Sequence, residues 1–247
     1  MKVAICFWGL TRSLSHTLSS IQSCLFQPLL DAGITYSIFL HTYTLYRPYS
    51  NPRTGETGIQ LQNTAWQKLQ PTQSIVENQD RVDLQLQLEQ YRTKGDPWGN
   101  EPVGYTYPFT TLDNHIRALW SLHQVTTLWE QSGETFDAII YARPDVLYRT
   151  PLRVEWIRSL QEHECLMPSF QCIQGCNDRF AIGTPSVMRI YGHRFLDALE
   201  YSKRFRLHSE EYVASTLSSH GISVRHIQFP FRRLRADGTV ASGDQSL

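Results

Sequence analysis

Asp137-Ala138-Ile139-Ile140-Tyr141-Ala142-Arg143-Pro144-Asp145 is the stretch that decides how this chain is read. Phe136 to Tyr141 is apolar almost throughout and lacks the alternation of a half-exposed strand. It therefore predicts a central strand covered on both faces. Pro144 has no amide hydrogen to give to a ladder and closes the strand. Arg143 and Asp145 are then the first charged groups beyond its end.

The same pattern recurs on either side. Val3 to Trp8 is another continuous apolar run. Leu14, Leu18, Ile21, Leu25 and Leu29 follow at helical spacing, with Ser13 or Ser15 placed to cap the helix and Gly33 to stop it. Tyr36 to Leu40 forms a second apolar strand ending at His41-Thr42-Tyr43. Strand, helix and strand in that order make a βαβ opening. Further along, Gln79 to Arg92 and Thr111 to Trp129 read as helices. Leu166-Met167 and Arg179 to Gly183 read as short strands. A helix capped by Thr184 and opened by Pro185 buries Met188, Tyr191, Phe195 and Leu199. Another starts at Ser209 and stops at Gly221, before a strand from Ile222 to Phe229.

This order predicts an α/β fold, a single Rossmann-like domain with a mostly parallel central sheet over residues 1–238. Irregular insertions are expected at about 47–70, where Asn51 to Gly55 reads as a turn, and at 95–108. A polar tail, ragged after Asp237-Gly238, completes the chain over 239–247.

The 247 residues suffice to bury roughly 70–75% of the unfolded surface, so the fold needs neither disulfide nor metal. Lys and Arg number 23, as do Asp and Glu, which argues against a nucleic-acid partner but leaves room for a local basic pocket. The five cysteines are an odd count without paired CxxC spacing, which disfavours both a disulfide framework and a zinc cluster. The apolar run at the start is too short for a signal peptide, and no stretch approaches the length of a membrane span. The expectation is a cytoplasmic chain without stable membrane insertion. No GxGxxG, GxxxxGK[ST] or GxSxG occurs, which disfavours dinucleotide oxidoreductases, P-loop kinases and serine hydrolases of the nucleophile-elbow type.

In open α/β sheets, ligands gather beyond the C-terminal strand ends. Gly9 to Arg12, His41-Thr42, Arg143 to Asp145 and the stretch from Gln228 to Arg235 all follow strands. Asp178 precedes one and must reach the same face through its loop. Asp145 reads as a ligand for a divalent ion that neutralises a diphosphate, or as a turn acid after Pro144. Arg143 reads as its ion-pair partner or as a fork for phosphate oxygens. Gly9 and Arg12 suit a phosphate contact, and Arg12 equally suits a structural pair. His41 is a candidate reactant or a local hydrogen-bonding group. Asp178 is a candidate base, metal ligand or hydroxyl contact, and equally a cap for the strand that follows it. Glu210 complements a helix start and could touch a sugar. Trp98, Tyr105, Tyr107 and Phe109 could offer ring faces to a sugar or serve as core.

Taken together, Lys2 to Gly9, Phe39-Leu40-His41-Thr42, Asp137 to Asp145 and Asn177-Asp178-Arg179-Phe180-Ala181-Ile182-Gly183 resemble GT-A-like glycosyltransferases of the viral and bacterial surface-polysaccharide type. The resemblance implies a nucleotide-sugar donor, a glycan or other hydroxyl-bearing acceptor, and a divalent cation, Mn²⁺ or Mg²⁺, held by Asp145. Asp145 matches the last acid of the family's Asp-x-Asp motif, whereas Arg143 stands where the first acid is usual. Asp178 matches an acidic position that faces acceptor or sugar and is the candidate base. Arg232 and Arg235 belong to a basic stretch resembling one near the donor. The alternative is a carbohydrate- or protein-binding module that keeps the fold without the chemistry.

Overall fold

The central sheet has seven strands. In chain order they begin with β1 (Lys2–Trp8), followed by α1 (Leu14–Ile21), α2 (Gln27–Asp31) and β2 (Thr35–Thr44). A small hairpin, β3 (Tyr49–Asn51) and β4 (Glu56–Ile59), precedes β5 (Gln73–Asn78), α3 (Gln79–Leu86) and α4 (Thr110–Gln131). Next come β6 (Ala138–Ala142), β7 (Val146–Tyr148), α5 (Val154–Arg158), β8 (Glu164–Pro168) and β9 (Phe180–Gly183). Helices α6 (Pro185–His193), α7 (Phe195–Arg204) and α8 (Ser209–Ser219) lead to β10 (Ser223–Ile227) and β11 (Phe231–Arg233). The computed structural model describes residues 1–98, 109–172 and 175–245.

The strand order is β10-β8-β9-β6-β1-β2-β5, and every neighbouring pair is parallel except those made by β9. The chain runs outward from β1 through β2 to β5, then returns to place β6 on the other side of β1. Strand order therefore reverses between β1 and β6, where a crevice opens beyond the strand ends. This is the single Rossmann-like α/β domain that the alternation of strands and helices implies.

Both faces of the sheet are covered, which explains the continuous apolar runs. Val3, Ile5 and Phe7 point to one face and pack with Leu14, Ile21, Leu25 and Leu29. Ala4, Cys6 and Trp8 point to the other and pack with Leu122, Val125 and Trp129 of α4 and with Val187, Met188 and Tyr191 of α6. Tyr141 carries a hydroxyl into this second layer, where Thr126 Oγ1 lies 2.6 Å away and Trp129 Nε1 donates to it at 3.1 Å.

Several elements differ from their sequence reading. The first helix is interrupted over Gln22–Phe26 by a π-helical segment. Pro28 has no amide hydrogen to give to the Cys24 carbonyl, and Leu152 N–H takes that carbonyl at 2.8 Å instead. β2 runs on to Thr44, so His41 lies inside the strand rather than beyond it. β5 was not anticipated, because its six residues are only half-buried at the sheet edge. Ser13 and Thr184 occupy N-cap positions without a side-chain capping bond, and His208 takes that position before Ser209. Helices α6 and α7 divide at Arg194, leaving Phe195 and Leu199 half-buried. The segment after Asp237 is ordered: Leu234 bridges Val240, and Asp244 is completely buried. The insertion at 47–70 contains the β3–β4 hairpin, whereas 99–108 lies outside the described residues.

Gly192 lets α6 approach this layer. A Cβ there would collide with Thr126 Oγ1 and the Tyr141 hydroxyl. Gly192→Ala should therefore destabilise the protein by about 1–3 kcal/mol, the usual cost of overpacking. Urea denaturation measures this, and an unchanged midpoint would contradict the packing.

Candidate active site

Beyond the ends of β1 and β6 lies a cleft of about 450 Å³, within the usual size of small-molecule sites. Gly9 ends β1 with φ +88°, a conformation that favours glycine. Its amide donates to Ser121 Oγ at 2.8 Å. The absence of a side chain lets the Arg143 guanidinium lie against it, 3.7 Å from where a Cβ would stand.

Arg143 and Asp145 leave β6 together. Asp145 is 3% exposed, and its carboxylate accepts from Arg143 Nε at 2.9 Å, Arg143 Nη2 at 2.7 Å and Arg12 Nη2 at 3.1 Å. Burial alone would raise its pKa. The charges of Arg143 and Arg12, with the Arg143 hydrogen bonds, overcome this and hold it well below the usual carboxylate range. Arg12 also stacks on the Tyr49 ring, 5.4 Å from its centroid, and lies 3.4 Å from Glu56. Glu56, in turn, accepts from Ala236 N at 2.8 Å and faces Arg235 at 3.9 Å. The hairpin carrying Tyr49 and Glu56 is thus one wall of the site.

Asp178 reaches the same cleft because β9 runs antiparallel to β6, which places its entrance at the C-terminal edge of the parallel strands. Its carboxylate lies 3.0 Å from Arg179 Nη1, and that nitrogen lies 3.6 Å from Glu210. Burial opposes ionisation of Asp178, but Arg179, His115 and Arg143 lower its pKa to about 2. Cys176 N donates to the Glu210 carbonyl at 3.1 Å, pinning this loop to the start of α8.

The structure brings Arg12, Arg143, Asp145, Asp178, Glu210 and Arg235 to one cleft, with Gly9 at its base beneath Arg143. His41 and Arg232 stand elsewhere. His41 is completely buried, bonded through Nε2 to Glu77 at 2.8 Å and through Nδ1 to Ser121 at 2.7 Å. With its Nε2–H given to Glu77, Nδ1 accepts the Ser121 hydroxyl that receives the Gly9 amide. His41 therefore stands behind Gly9, linked to it through Ser121, and is not part of the cleft lining. Arg232 donates to the Gln245 carbonyl at 3.2 Å, outside the cleft lining. Its neighbour Arg233 faces the cleft, because successive residues of a strand point to opposite sides. Arg233 is braced by the fully buried Asp244, with Nη2 to Oδ1 at 2.6 Å. Trp98 lines the cleft, whereas Phe109 packs under Arg92, 4.8 Å from ring centroid to guanidinium. Tyr105 and Tyr107 lie outside the described residues.

Arg53, Arg179, Arg233 and His115 also line the cleft; Arg179 and Arg233 belong to the 177–183 and 232–235 stretches of the sequence resemblance, whereas Arg53 and His115 stand outside every candidate group. Thr111, Asn114, His115 and Ala118 recur at helical spacing, which puts these polar and small residues of α4 on the cleft side. His115 is 9% exposed, and its buried Nε2 has no hydrogen-bond partner among the described residues.

Asp145 does not fit the divalent ion that the resemblance implies. Such an ion requires several oxygen ligands. Both Asp145 oxygens are taken by guanidinium groups, and Asp178 faces Arg179. Among the described residues, no group of three His, Cys, Asp or Glu side chains could hold a metal ion. As its side-chain partners stand, Asp145 anchors arginines, and each of its oxygens already meets a guanidinium group. No described helix is long and apolar enough to cross a membrane.

Burial, reinforced by Arg194, His208 and Arg179 and opposed by Asp178, holds the His115 pKa at about 3. The unfolded imidazole takes up a proton below about pH 6.5. Between pH 6.5 and 3 the unfolded state therefore binds more protons, and stability falls with pH by up to about 1.4 kcal/mol per unit. The carboxylates Asp145 and Asp178, with depressed pKa values, add acid sensitivity only below about pH 4. His115→Gln should make the loss between pH 6.5 and 4.5 shallower, as read by urea denaturation. An unaltered slope would show that His115 titrates normally.

No protein-family model and no curated protein matches the sequence. Among solved structures, the apo form of mouse xyloside xylosyltransferase 1 aligns over 92% of this chain and 85% of its own, with a TM-score of 0.47 and 11% identity.

Proposed function

We propose that this chain is a glycosyltransferase that moves a sugar from a nucleoside-diphosphate donor to a hydroxyl of a glycan or related acceptor. The observation that carries this reading is the division of the cleft at the β1–β6 reversal. Arg12 and Arg143 meet at Asp145, and Arg235 joins Arg12 through Glu56, while Asp178 and Glu210 meet at Arg179 and Trp98 packs beside His115 and beneath Arg53. Guanidinium forks suit phosphate oxygens. Carboxylates, an imidazole and an indole face suit the hydroxyls and apolar face of a sugar.

In the proposed reaction the acceptor oxygen forms a bond to the anomeric carbon as that carbon's bond to the phosphate oxygen breaks. The departing nucleoside diphosphate keeps the electron pair, and the arginine-lined end stabilises its growing charge. The hydroxyl proton passes to Asp178 and then to solvent. With a pKa near 2, Asp178 is a weak base in the resting site. It takes the proton late, when bond formation has made the attacking oxygen strongly acidic. Before that step its charge orients the hydroxyl. This role, and those of Arg12, Arg143 and Glu210 as substrate contacts, belong to the proposal.

A panel of nucleotide sugars, with and without simple glycan acceptors, should reveal a donor from which nucleoside diphosphate is released. Asp178→Asn should slow that release by about 10²-fold or more while retaining a cooperative thermal transition. If no donor yields product above the Asp178→Asn background, the transferase reading fails in favour of a binding module.

A further inference from the structure

We infer that the cleft neutralises the diphosphate with guanidinium groups and requires no divalent ion. This inference rests on the transferase reading for the identity of the diphosphate, and its evidence is the charge arrangement around Asp145.

Six arginines line the cleft, Arg12, Arg53, Arg143, Arg179, Arg233 and Arg235, against three lining carboxylates, Asp145, Asp178 and Glu210. Among the described residues the lining thus carries three more positive than negative groups, and Glu56 and Asp244 behind it lower the excess of the whole cluster to one. A nucleoside diphosphate leaving group bears roughly three negative charges near neutral pH, because the second ionisation of a terminal phosphate lies near pH 6. The sign of the lining suits a diphosphate without another cation.

The remaining acids of the cluster stand behind the arginines. Glu56 is 5% exposed and touches Arg12 and Arg235; Asp244 is buried behind Arg233. Asp145 takes Nε and Nη2 of Arg143 on its two oxygens and accepts from Arg12 as well. Each carboxylate restricts the freedom of a long side chain and fixes the plane of its fork. A pre-oriented guanidinium loses less entropy when it binds phosphate. Asp145 thereby serves a diphosphate site as a positioning residue, its charge directed at arginines.

A cation held by Asp145 would have to displace Arg143 or Arg12 from a buried carboxylate and sit against both guanidinium charges. Arg143 occupies the position two residues before Asp145, and its Nη2 lies 2.7 Å from the Asp145 carboxylate.

The test uses the full chain and inorganic pyrophosphate, titrated calorimetrically first in EDTA and then in Mn²⁺. The expected result is binding in EDTA, with affinity changed less than about threefold by Mn²⁺. Arg143→Gln should weaken binding in EDTA by tenfold or more in protein that still melts cooperatively, at a melting temperature lowered by the loss of the Asp145 partner. Binding that appears only with Mn²⁺, or that tightens tenfold with it, overturns the inference. So does wild-type affinity in a folded Arg143→Gln protein, or no pyrophosphate binding in either buffer. If Arg143→Gln does not fold, the wild-type comparison in EDTA and Mn²⁺ decides alone. Failure of the donor panel with cation-free pyrophosphate binding would sink the transferase reading only. Donor cleavage with Mn²⁺-dependent pyrophosphate binding would sink this inference only.

Discussion

A carboxylate with almost no access to water must be met by positive charge or give up its own, and at Asp145 the first solution is used. Its partners come from widely separated parts of the chain. Arg12 follows the first strand, Arg143 leaves the sixth, and the Asp145 carbonyl accepts from Leu234 N at 2.9 Å. The same Arg12 is tied through Glu56 to the β3–β4 hairpin, and Glu56 reaches Arg235. One buried charge thus joins the two central strands, an insertion and the C-terminal segment. Buried ion pairs contribute little net stability, because desolvation offsets most of the attraction, yet breaking one leaves a strongly unfavourable unpaired charge. Such a cluster acts mainly by selecting a single geometry for its members.

The hydrophobic layers set where that cluster forms. Alternate residues of β1 enter two separate cores, so the strand cannot slip by one residue without exchanging its faces. Gly9 is then delivered to a fixed point, and the Ser121 hydroxyl receives its amide there. Behind Ser121, His41 and Glu77 continue the hydrogen-bonded series to the sheet edge, and Trp120 Nε1 adds a bond to Glu77 at 2.7 Å. Burial lowers the His41 pKa against the pull of Glu77, keeping an uncharged imidazole in the middle of this series.

How much of this was legible in the sequence depended on the range of the interaction. Apolar runs and helical spacing revealed the strands β1, β2 and β6 and the helix α4, because burial on both faces leaves a local signature. The edge strand β5 left none, since its residues are only half-covered. Arg143 and Asp145 were legible as a pair, for they are two residues apart at a strand end. Their engagement with Arg12 depends on a partner 133 residues away in sequence. The misplacement of His41 had a simple physical origin: a polar residue after apolar ones was taken as the strand end, although Glu77 and Ser121 satisfy it inside the sheet. Arg232 was preferred to Arg233 because neither the start nor the phase of β11 could be fixed from a run of arginines.

The antiparallel course of β9 has a further consequence. Most connections in this sheet must cross a face through a helix before the next parallel strand can begin, so their lengths are constrained by packing. β8 and β9 are joined without an intervening helix, and the described part of their connection brings Asp178 and Arg179 to the cleft. It is tied to its surroundings, because Cys176 N donates to the Glu210 carbonyl and Gln171 reaches Asp244. A change in this one segment is therefore felt both at the start of α8 and by the C-terminal residues that brace Arg233, so the two sides of the cleft are mechanically linked through it.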